Sequence, residues 1–320
     1  MQNVAEIAHR FQALREQLDR VILGQEKVKE QMIVCLLAGG HALLEGVPGT
    51  GKTLLALTLS RLVSCRFRRI QFTPDLMPAD LLGANIFNQK SQEFVFRAGP
   101  IFTDILLADE INRTPPRTQA ALLESMQENA VTLDGVRRRI SPVFTVLATQ
   151  NPVEFEGTYP LPEAQRDRFL LKINIDYPAR DDEAGMLSAY ATGRRLHDDV
   201  VGSLEPVMSG PELLQARQLV GHSVRAENEV QRYILQIVGS TREDDSVQIG
   251  AGPRASLALL ESSRALAVLR GRDFVIPDDV KEMAPAVLAH RITLTPEAEM
   301  EGLTLEDVVG RIFEMVEVPR

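Results

Sequence analysis

The stretch HALLEGVPGTGKTLLALTLSRLV (41–63) decides the fold of this 320-residue chain. It opens with a short apolar run that predicts a buried strand, and it continues into a helical pattern. Between the two, Gly46, Gly51, Lys52 and Thr53 satisfy the spacing G-x-x-x-x-G-K-[ST]. Glycines let such a loop curl so that its N–H groups point at phosphate oxygens, and the helix N-terminus adds partial positive charge. The stretch therefore predicts a phosphate-binding loop between a strand and a helix.

This loop is typical of a site for a nucleoside triphosphate and Mg²⁺. Lys52 can reach the β- and γ-phosphates, and the Thr53 hydroxyl can ligate the metal. The loop alone does not decide whether the nucleotide is hydrolysed or permanently held. The residues expected to contact the nucleotide here are Gly46, Val47, Pro48, Gly49, Thr50, Gly51, Lys52, Thr53 and Leu54.

Polar residues at the ends of two further apolar runs bear on hydrolysis. Asp109 ends the run DILLADE (104–110), where a carboxylate can hold Mg²⁺, and Glu110 can polarise an attacking water. Asn151 ends VFTVLATQN (143–151), and its amide would face the γ-phosphate if the two strands are neighbours. The plainer alternatives are a helix cap for the acids and a turn residue for Asn151. With the phosphate loop present, the pattern favours a hydrolase over a nucleotide-binding switch.

The order of strand and helix patterns predicts the domain organisation. Strands alternate with helices up to Pro178, and residues 181–320 contain mostly helical patterns. Such alternation is typical of a parallel sheet covered by helices. We therefore expect an α/β domain over residues 1–178, including an N-terminal helix, and a smaller all-α lid domain over residues 179–320. The nucleotide is expected between them, at the C-terminal ends of the strands.

Charge and composition narrow the classes of function. The formal net charge of −9 argues against a dedicated duplex-DNA binder. A predicted hairpin over 131–140 nevertheless carries the basic run Arg137–Arg139, which is either a solvated strand face or a contact for a partner or nucleic acid. The two cysteines lack metal-ligand spacing, and no apolar run approaches the roughly 18 residues of a membrane span. We expect a cytoplasmic protein.

Eight motifs, spread over nearly the whole chain, follow a known family pattern. They are LGQ (23–25), GVPGTGKT (46–53), RIQFTPDLMPADLLG (69–83), FRAGPIF (96–102), LLADEINRTPPRTQAALLESMQE (106–128), ATQNP (148–152), LPEAQRDRF (161–169) and GPRAS (252–256). By these motifs the chain resembles the MoxR family of AAA+ ATPases, in the helix-2-insert clade shared with magnesium-chelatase ATPase subunits. Two departures are visible, because the pattern has proline where this chain has Ala98 and serine where it has Gly252.

The resemblance implies roles for individual residues. The family carries an AAA+ P-loop domain followed by a helical lid, and it hydrolyses ATP with Mg²⁺. Arg168 looks like the arginine finger that enters the neighbouring subunit's site, with Arg166 as the alternative. Further likenesses are Asp109 and Glu110 to the Walker B pair, Asn151 to sensor 1, Arg254 to sensor 2 on the lid, and Leu23, Gly24 and Gln25 to the residues near the adenine.

The resemblance also implies the kind of work done with ATP. It suggests a homo-oligomer, a hexameric ring, with a chaperone-like role in maturing, activating or inserting a cofactor into partner proteins. Such partners often contain a von Willebrand factor A domain. A magnesium-chelatase-like motor subunit shares the same ATPase parts and stays as the alternative, followed by a nucleic-acid motor.

Overall fold

The structure is a computed structural model that describes residues 3–151, 157–192 and 201–319. The strands are β1 (Ala42–Glu45), β2 (Phe67–Gln71), β3 (Gly83–Asn88), β4 (Glu93–Ala98), β5 (Ile105–Asp109), β6 (Ala130–Leu133), β7 (Val136–Arg139), β8 (Thr145–Gln150), β9 (Leu171–Asn174), β10 (Val247–Ile249) and β11 (Thr293–Leu294). The helices are α1 (Val4–Asp19), α2 (Glu26–Ala38), α3 (Lys52–Leu62), α4 (Pro78–Leu82), α5 (Pro116–Glu128), α6 (Glu163–Arg166), α7 (Arg180–Ala191), α8 (Val201–Ser203), α9 (Gly210–Ser223), α10 (Asn228–Ser240), α11 (Pro253–Leu269), α12 (Pro277–Leu288), α13 (Pro296–Met300) and α14 (Leu305–Met315).

A five-stranded parallel sheet in the order β2-β5-β8-β1-β9 forms the centre of the molecule. Side chains alternate between its faces, so that Ala42 and Leu44 enter one apolar cluster and Leu43 enters the other. Because both faces are covered, β5 and β8 consist almost entirely of buried residues. The predicted α/β fold with a parallel sheet is confirmed.

The C-terminal part is mainly helical, as predicted, with one small exception. Strands β10 and β11 pair antiparallel there, which the sequence patterns did not indicate. Lid residues such as Leu259 and Val287 belong to the same apolar cluster as Phe11 of α1 and Met32 of α2. The lid therefore shares a continuous core with the helices on one face of the sheet. Its boundary near residue 178 stays a prediction.

Two β-hairpins project from the α/β domain. The hairpin β6–β7 was predicted, and its turn residues Asp134 and Gly135 both have positive φ, as a type I′ turn requires. The hairpin β3–β4 was not predicted, because the segment that leads into it, residues 73–86, is rich in Pro and Asp. The two hairpins contact each other through a cation–π pair. The Arg138 guanidinium of β7 lies 4.0 Å from the centroid of the Phe96 ring of β4. Within the described residues no helix has the length and apolarity needed to cross a membrane.

A histidine beside the sheet predicts how stability depends on pH. The Nδ1 atom of His41 accepts the Val146 N–H at 3.0 Å, and Nε2 donates to the Met126 carbonyl at 3.3 Å. Acceptance at Nδ1 requires the neutral ring, because protonation would turn that nitrogen into a donor, and burial lowers the pKa of His41 to about 4. Between that value and the ordinary pKa near 6.5, the unfolded chain binds more protons than the folded chain. Stability is therefore lost as the pH falls through this window.

We expect acidification from pH 7 to pH 4.5 to cost about 2–3 kcal/mol of unfolding free energy through His41. Urea titrations at several pH values measure it, and His41→Gln should reduce the dependence by this amount and leave the part that other buried groups such as His290 contribute. His222→Gln, on the exposed end of α9, is the control and should leave the dependence as it is. A His41→Gln protein with the full dependence would contradict this assignment.

Candidate active site

The loop between β1 and α3 has the backbone geometry of a phosphate cradle. Gly49 and Gly51 have φ values of +86° and +83°, in the left-handed region that side chains disfavour. A Cβ at Gly46 would lie 2.3 Å from the Ile175 carbonyl oxygen, so only glycine fits there. Around Gly49 and Gly51 there is open space where a Cβ would lie, which leaves the backbone accessible to a ligand.

The Lys52 ammonium is held within this loop. Its Nζ atom donates to the carbonyl oxygens of Gly46 at 2.8 Å and Val47 at 2.7 Å. Burial lowers the pKa of Lys52, and the carboxylates of Asp109 and Glu110 oppose that shift. The ammonium therefore lies against the backbone of the loop that is predicted to bind the phosphates.

Asp109 and Glu110 lie on the other side of the same cleft. Strand register places Asp109 opposite Gln71 at the C-terminal edge of the sheet. Its Oδ1 accepts the Thr149 hydroxyl at 2.6 Å, and the same hydroxyl accepts the Glu110 N–H at 2.8 Å. Glu110 has φ +57°, an unusual value for a non-glycine residue that turns its side chain away from the line of β5.

Asn151 follows β8, which is the strand next to β5. Its side chain is only 7% exposed and lines the same cleft. The condition on which its predicted orientation depended, that the two strands are neighbours, is therefore met. The cleft has a volume of about 420 Å³ and is lined by Gly46, Pro48, Gly49, Thr50, Gly51, Lys52, Thr53, Leu54, Arg69, Gln71, Asp109, Glu110, Thr149, Gln150 and Asn151.

Two side chains on β2 were missed by the sequence analysis. The Gln71 amide donates to Glu110 Oε2 at 2.5 Å, and Arg113 lies 3.3 Å from the same oxygen. The Arg69 guanidinium donates to Asp109 Oδ2 at 2.6 Å through Nη2. The signal available in the sequence was their i, i+2 spacing, which puts both on one face of a strand that ends at the cleft.

The predicted adenine residues lie beside the phosphate loop. The Gln25 amide is 3.4 Å from the Thr50 carbonyl oxygen, which links the two segments. Gly24 has φ +66°, and a Cβ there would meet the Asp182 carboxylate of α7. Gln25 and Asp182 also line a neighbouring cavity of about 520 Å³, bounded by β9 and α12. Contact of Leu23, Gly24 and Gln25 with a base stays a prediction.

Arg168 and Arg254 lie away from the phosphate cleft. Both line a different cavity, of about 230 Å³, together with Asp167 and Arg291. Arg254 Nη1 is 3.9 Å from Asp167 Oδ2. The described residues that line the phosphate cleft include none from the lid, whereas the neighbouring cavity beside Gln25 is bounded by α12 of the lid. That the nucleotide lies between the two domains stays a prediction.

Comparisons with known proteins agree with this architecture. Residues 41–171 match the model of the ATPase family associated with various cellular activities, and residues 239–312 match the AAA lid domain. The chain is 41% identical to the chaperone MoxR1 of Mycobacterium tuberculosis, over all of this chain and 85% of that protein. It is 46% identical to the uncharacterised protein YeaC of Bacillus subtilis, over 95% of this chain and 93% of the other.

A solved structure shows the same fold over the whole length. The crystal structure of a Cytophaga hutchinsonii protein, described as a presumed ATPase, superposes with a TM-score of 0.91 at 36% identity. The match covers 99% of this chain and 97% of that one. Fold, site and relatives together define an ATP-hydrolysing AAA enzyme with a helical lid. Within that class, the chain belongs to the MoxR family of chaperone-like AAA+ ATPases.

Proposed function

We propose that the chain works as a ring of identical subunits, a hexamer, that binds Mg²⁺·ATP in the phosphate cleft and uses its hydrolysis to remodel partner proteins. The observation that carries the proposal is the division of the site. The phosphate loop, Asp109, Glu110 and Asn151 line one cleft, whereas Arg168 and Arg254 line another. A complete site therefore needs a second subunit that contributes its arginines.

The cleft residues have separable roles in this proposal. The loop N–H groups and Lys52 bind the phosphates, and the open backbone at Gly49 and Gly51 fits that purpose. Thr53 and Asp109 would hold Mg²⁺, which supplies neutralisation of the phosphate charge. An ion of this kind binds mainly through phosphates, water and one or two protein oxygens, which the Thr53 hydroxyl and the Asp109 carboxylate could supply.

Glu110 would orient the attacking water and accept its proton. The Gln71 amide and Arg113 both contact Oε2 of Glu110, which lines the cleft, and in this proposal Oε1 accepts the proton. Asn151, next to it, would orient the water from the side of β8. Arg168 of the neighbouring subunit would stabilise the negative charge that develops on the transferred phosphoryl group.

We further propose that the partner is a protein with a von Willebrand factor A domain, matured or loaded with a cofactor in the cytoplasm. Family likeness supports this choice of client. Glu110→Gln protein should retain ATP and hold its client, because release follows hydrolysis. Capture with this variant and ATP, read by mass spectrometry, should enrich a protein with that domain. Lys52→Ala is the matched control and should capture none, and enrichment of only unrelated proteins would reject the proposed client.

A further inference from the structure

The lid is hydrogen-bonded to residues 167–170, the segment that carries the proposed arginine finger Arg168. Arg291 follows α12 and is only 9% exposed. Its guanidinium makes five hydrogen bonds, four of them to the segment Asp167–Leu170. The acceptors there are Asp167 Oδ1 at 2.8 Å and the carbonyl oxygens of Leu170 at 3.1 Å, Asp167 at 3.3 Å and Phe169 at 2.6 Å. The fifth bond goes back to the Val287 carbonyl of α12.

The neighbouring histidine reinforces this contact. His290 is 1% exposed, and its Nε2 atom lies 2.9 Å from the Phe169 carbonyl oxygen. Burial lowers the pKa of His290 well below its usual value, so the neutral ring donates this bond. Two adjacent lid residues thus fix the backbone on both sides of Arg168.

Arg168 itself makes few hydrogen bonds to the residues that the structure describes. Its backbone N–H contacts the Gln165 carbonyl at 3.3 Å, at the end of the short helix α6. Its Nε atom is buried without a hydrogen-bond partner in the described part of the chain. The direction of the Arg168 side chain therefore depends on the backbone of residues 167–170, which the lid holds.

We propose that Arg291 is a positioning residue for the arginine finger. The lid of one subunit thereby fixes the position of the Arg168 side chain that acts in the next subunit's site. This rests on the proposed role of Arg168. A guanidinium is required, because a lysine ammonium has three donors and cannot satisfy five acceptors in a fixed plane. Asp167 links this segment to a second lid helix as well, since its other carboxylate oxygen, Oδ2, lies 3.9 Å from Nη1 of Arg254 on α11.

The lid and the segment that carries Arg168 are also joined by packing. Leu170 lies in the same apolar cluster as lid residues of α11 and α12. In this proposal, a change in the position of one subunit's lid would change the position of Arg168 and so alter catalysis in the neighbouring subunit. A displacement of about 1 Å at a catalytic group is enough to cost about 10²-fold in rate.

Arg291→Lys should therefore lower kcat by about 10²-fold and leave the affinity for ADP, measured by calorimetry, unchanged. The decisive measurement mixes subunits. With Glu110→Gln subunits, activity should return, because an intact Glu110 then meets a correctly held Arg168. With Arg168→Ala subunits, activity should stay absent, because each interface lacks either the finger or its support. Recovery with Arg168→Ala would place the role of Arg291 in its own subunit's site and overturn the proposal.

Two further variants keep the test sharp. Arg272→Lys is the matched control, since Arg272 also makes a bidentate contact, to Asp279, but within the lid alone. It should retain activity. Asp167→Asn weakens the ion pair with Arg291 and keeps the size of the side chain. Like Arg291→Lys, it should recover activity when mixed with Glu110→Gln subunits and stay inactive with Arg168→Ala subunits. If Arg291→Lys fails to recover with Glu110→Gln although Arg168→Ala recovers with it, the finger stands and the positioning role of Arg291 is wrong.

Discussion

Glu110→Gln should bind ATP and hydrolyse it about 10²–10⁴-fold more slowly than the natural protein. The amide keeps the size of the side chain and one acceptor oxygen, but it cannot accept a proton from water. Lys52, the phosphate loop and Asp109 are untouched, so the phosphates keep their contacts. Steady-state phosphate release gives kcat, and calorimetry with ATP gives the affinity.

Lys52→Ala separates binding from turnover in the same assays. It removes the ammonium that contacts the Gly46 and Val47 carbonyls, and with it the cation that would contact the phosphates. This variant should lose both affinity and activity. If Glu110→Gln instead retained most of its turnover, the general base would have to be another group, and Glu110 would be left with an orienting role.

The sequence was sufficient where function follows from local chain geometry. The phosphate loop needs only a strand, a helix and glycines at fixed spacing, so residues 45–54 alone predicted its position between β1 and α3. The apolar run of β5 likewise predicted a central strand ending in Asp109. Proximity of Asp109 and Asn151 required the strand order, which local patterns leave open and the structure supplies.

The residues that were missed depend on tertiary contacts. Arg69 and Gln71 lie on β2, at an edge of the sheet, where Arg68 is equally polar and exposed, so nothing in the pattern of the strand singles them out. Their importance comes from register, which puts Gln71 opposite Asp109. The grip of Arg291 on residues 167–170 joins positions more than 120 residues apart, and no periodicity in the chain points to it.

The separation of the two cavities changes how the lid should be understood. The sequence analysis placed the nucleotide between the α/β domain and the lid. The structure brings Arg254, Asp167 and Arg168 together at a second cavity, whose lining does not include the phosphate loop. A lid arrangement of this kind is suited to act on the next subunit, and hydrolysis in one subunit would then depend on the conformation of its neighbour. This dependence is open to a direct measurement.

Arg168→Ala alone should reduce kcat by about 10³–10⁵-fold, the usual contribution of an arginine finger to phosphoryl transfer. Arg166→Ala is the matched control, since it removes the same charge two residues away, and it should retain activity. Nucleotide affinity should stay as it is in both variants, because the proposed role of Arg168 is to stabilise charge that develops only during phosphoryl transfer. Activity lost in Arg166→Ala and kept in Arg168→Ala would exchange the two assignments.

Mixing inactive Arg168→Ala and Glu110→Gln subunits in equal amounts should restore hydrolysis. An active interface needs an Arg168→Ala subunit to supply Glu110 and a Glu110→Gln neighbour to supply the arginine. Random assembly into a head-to-tail ring gives this pairing at about a quarter of the interfaces. Recovery to that order indicates independent sites, and a markedly smaller recovery indicates that sites around the ring depend on one another. A mixture that stays inactive although labelled subunits are seen to exchange would refute the trans-acting Arg168, and with it the division of the site between subunits.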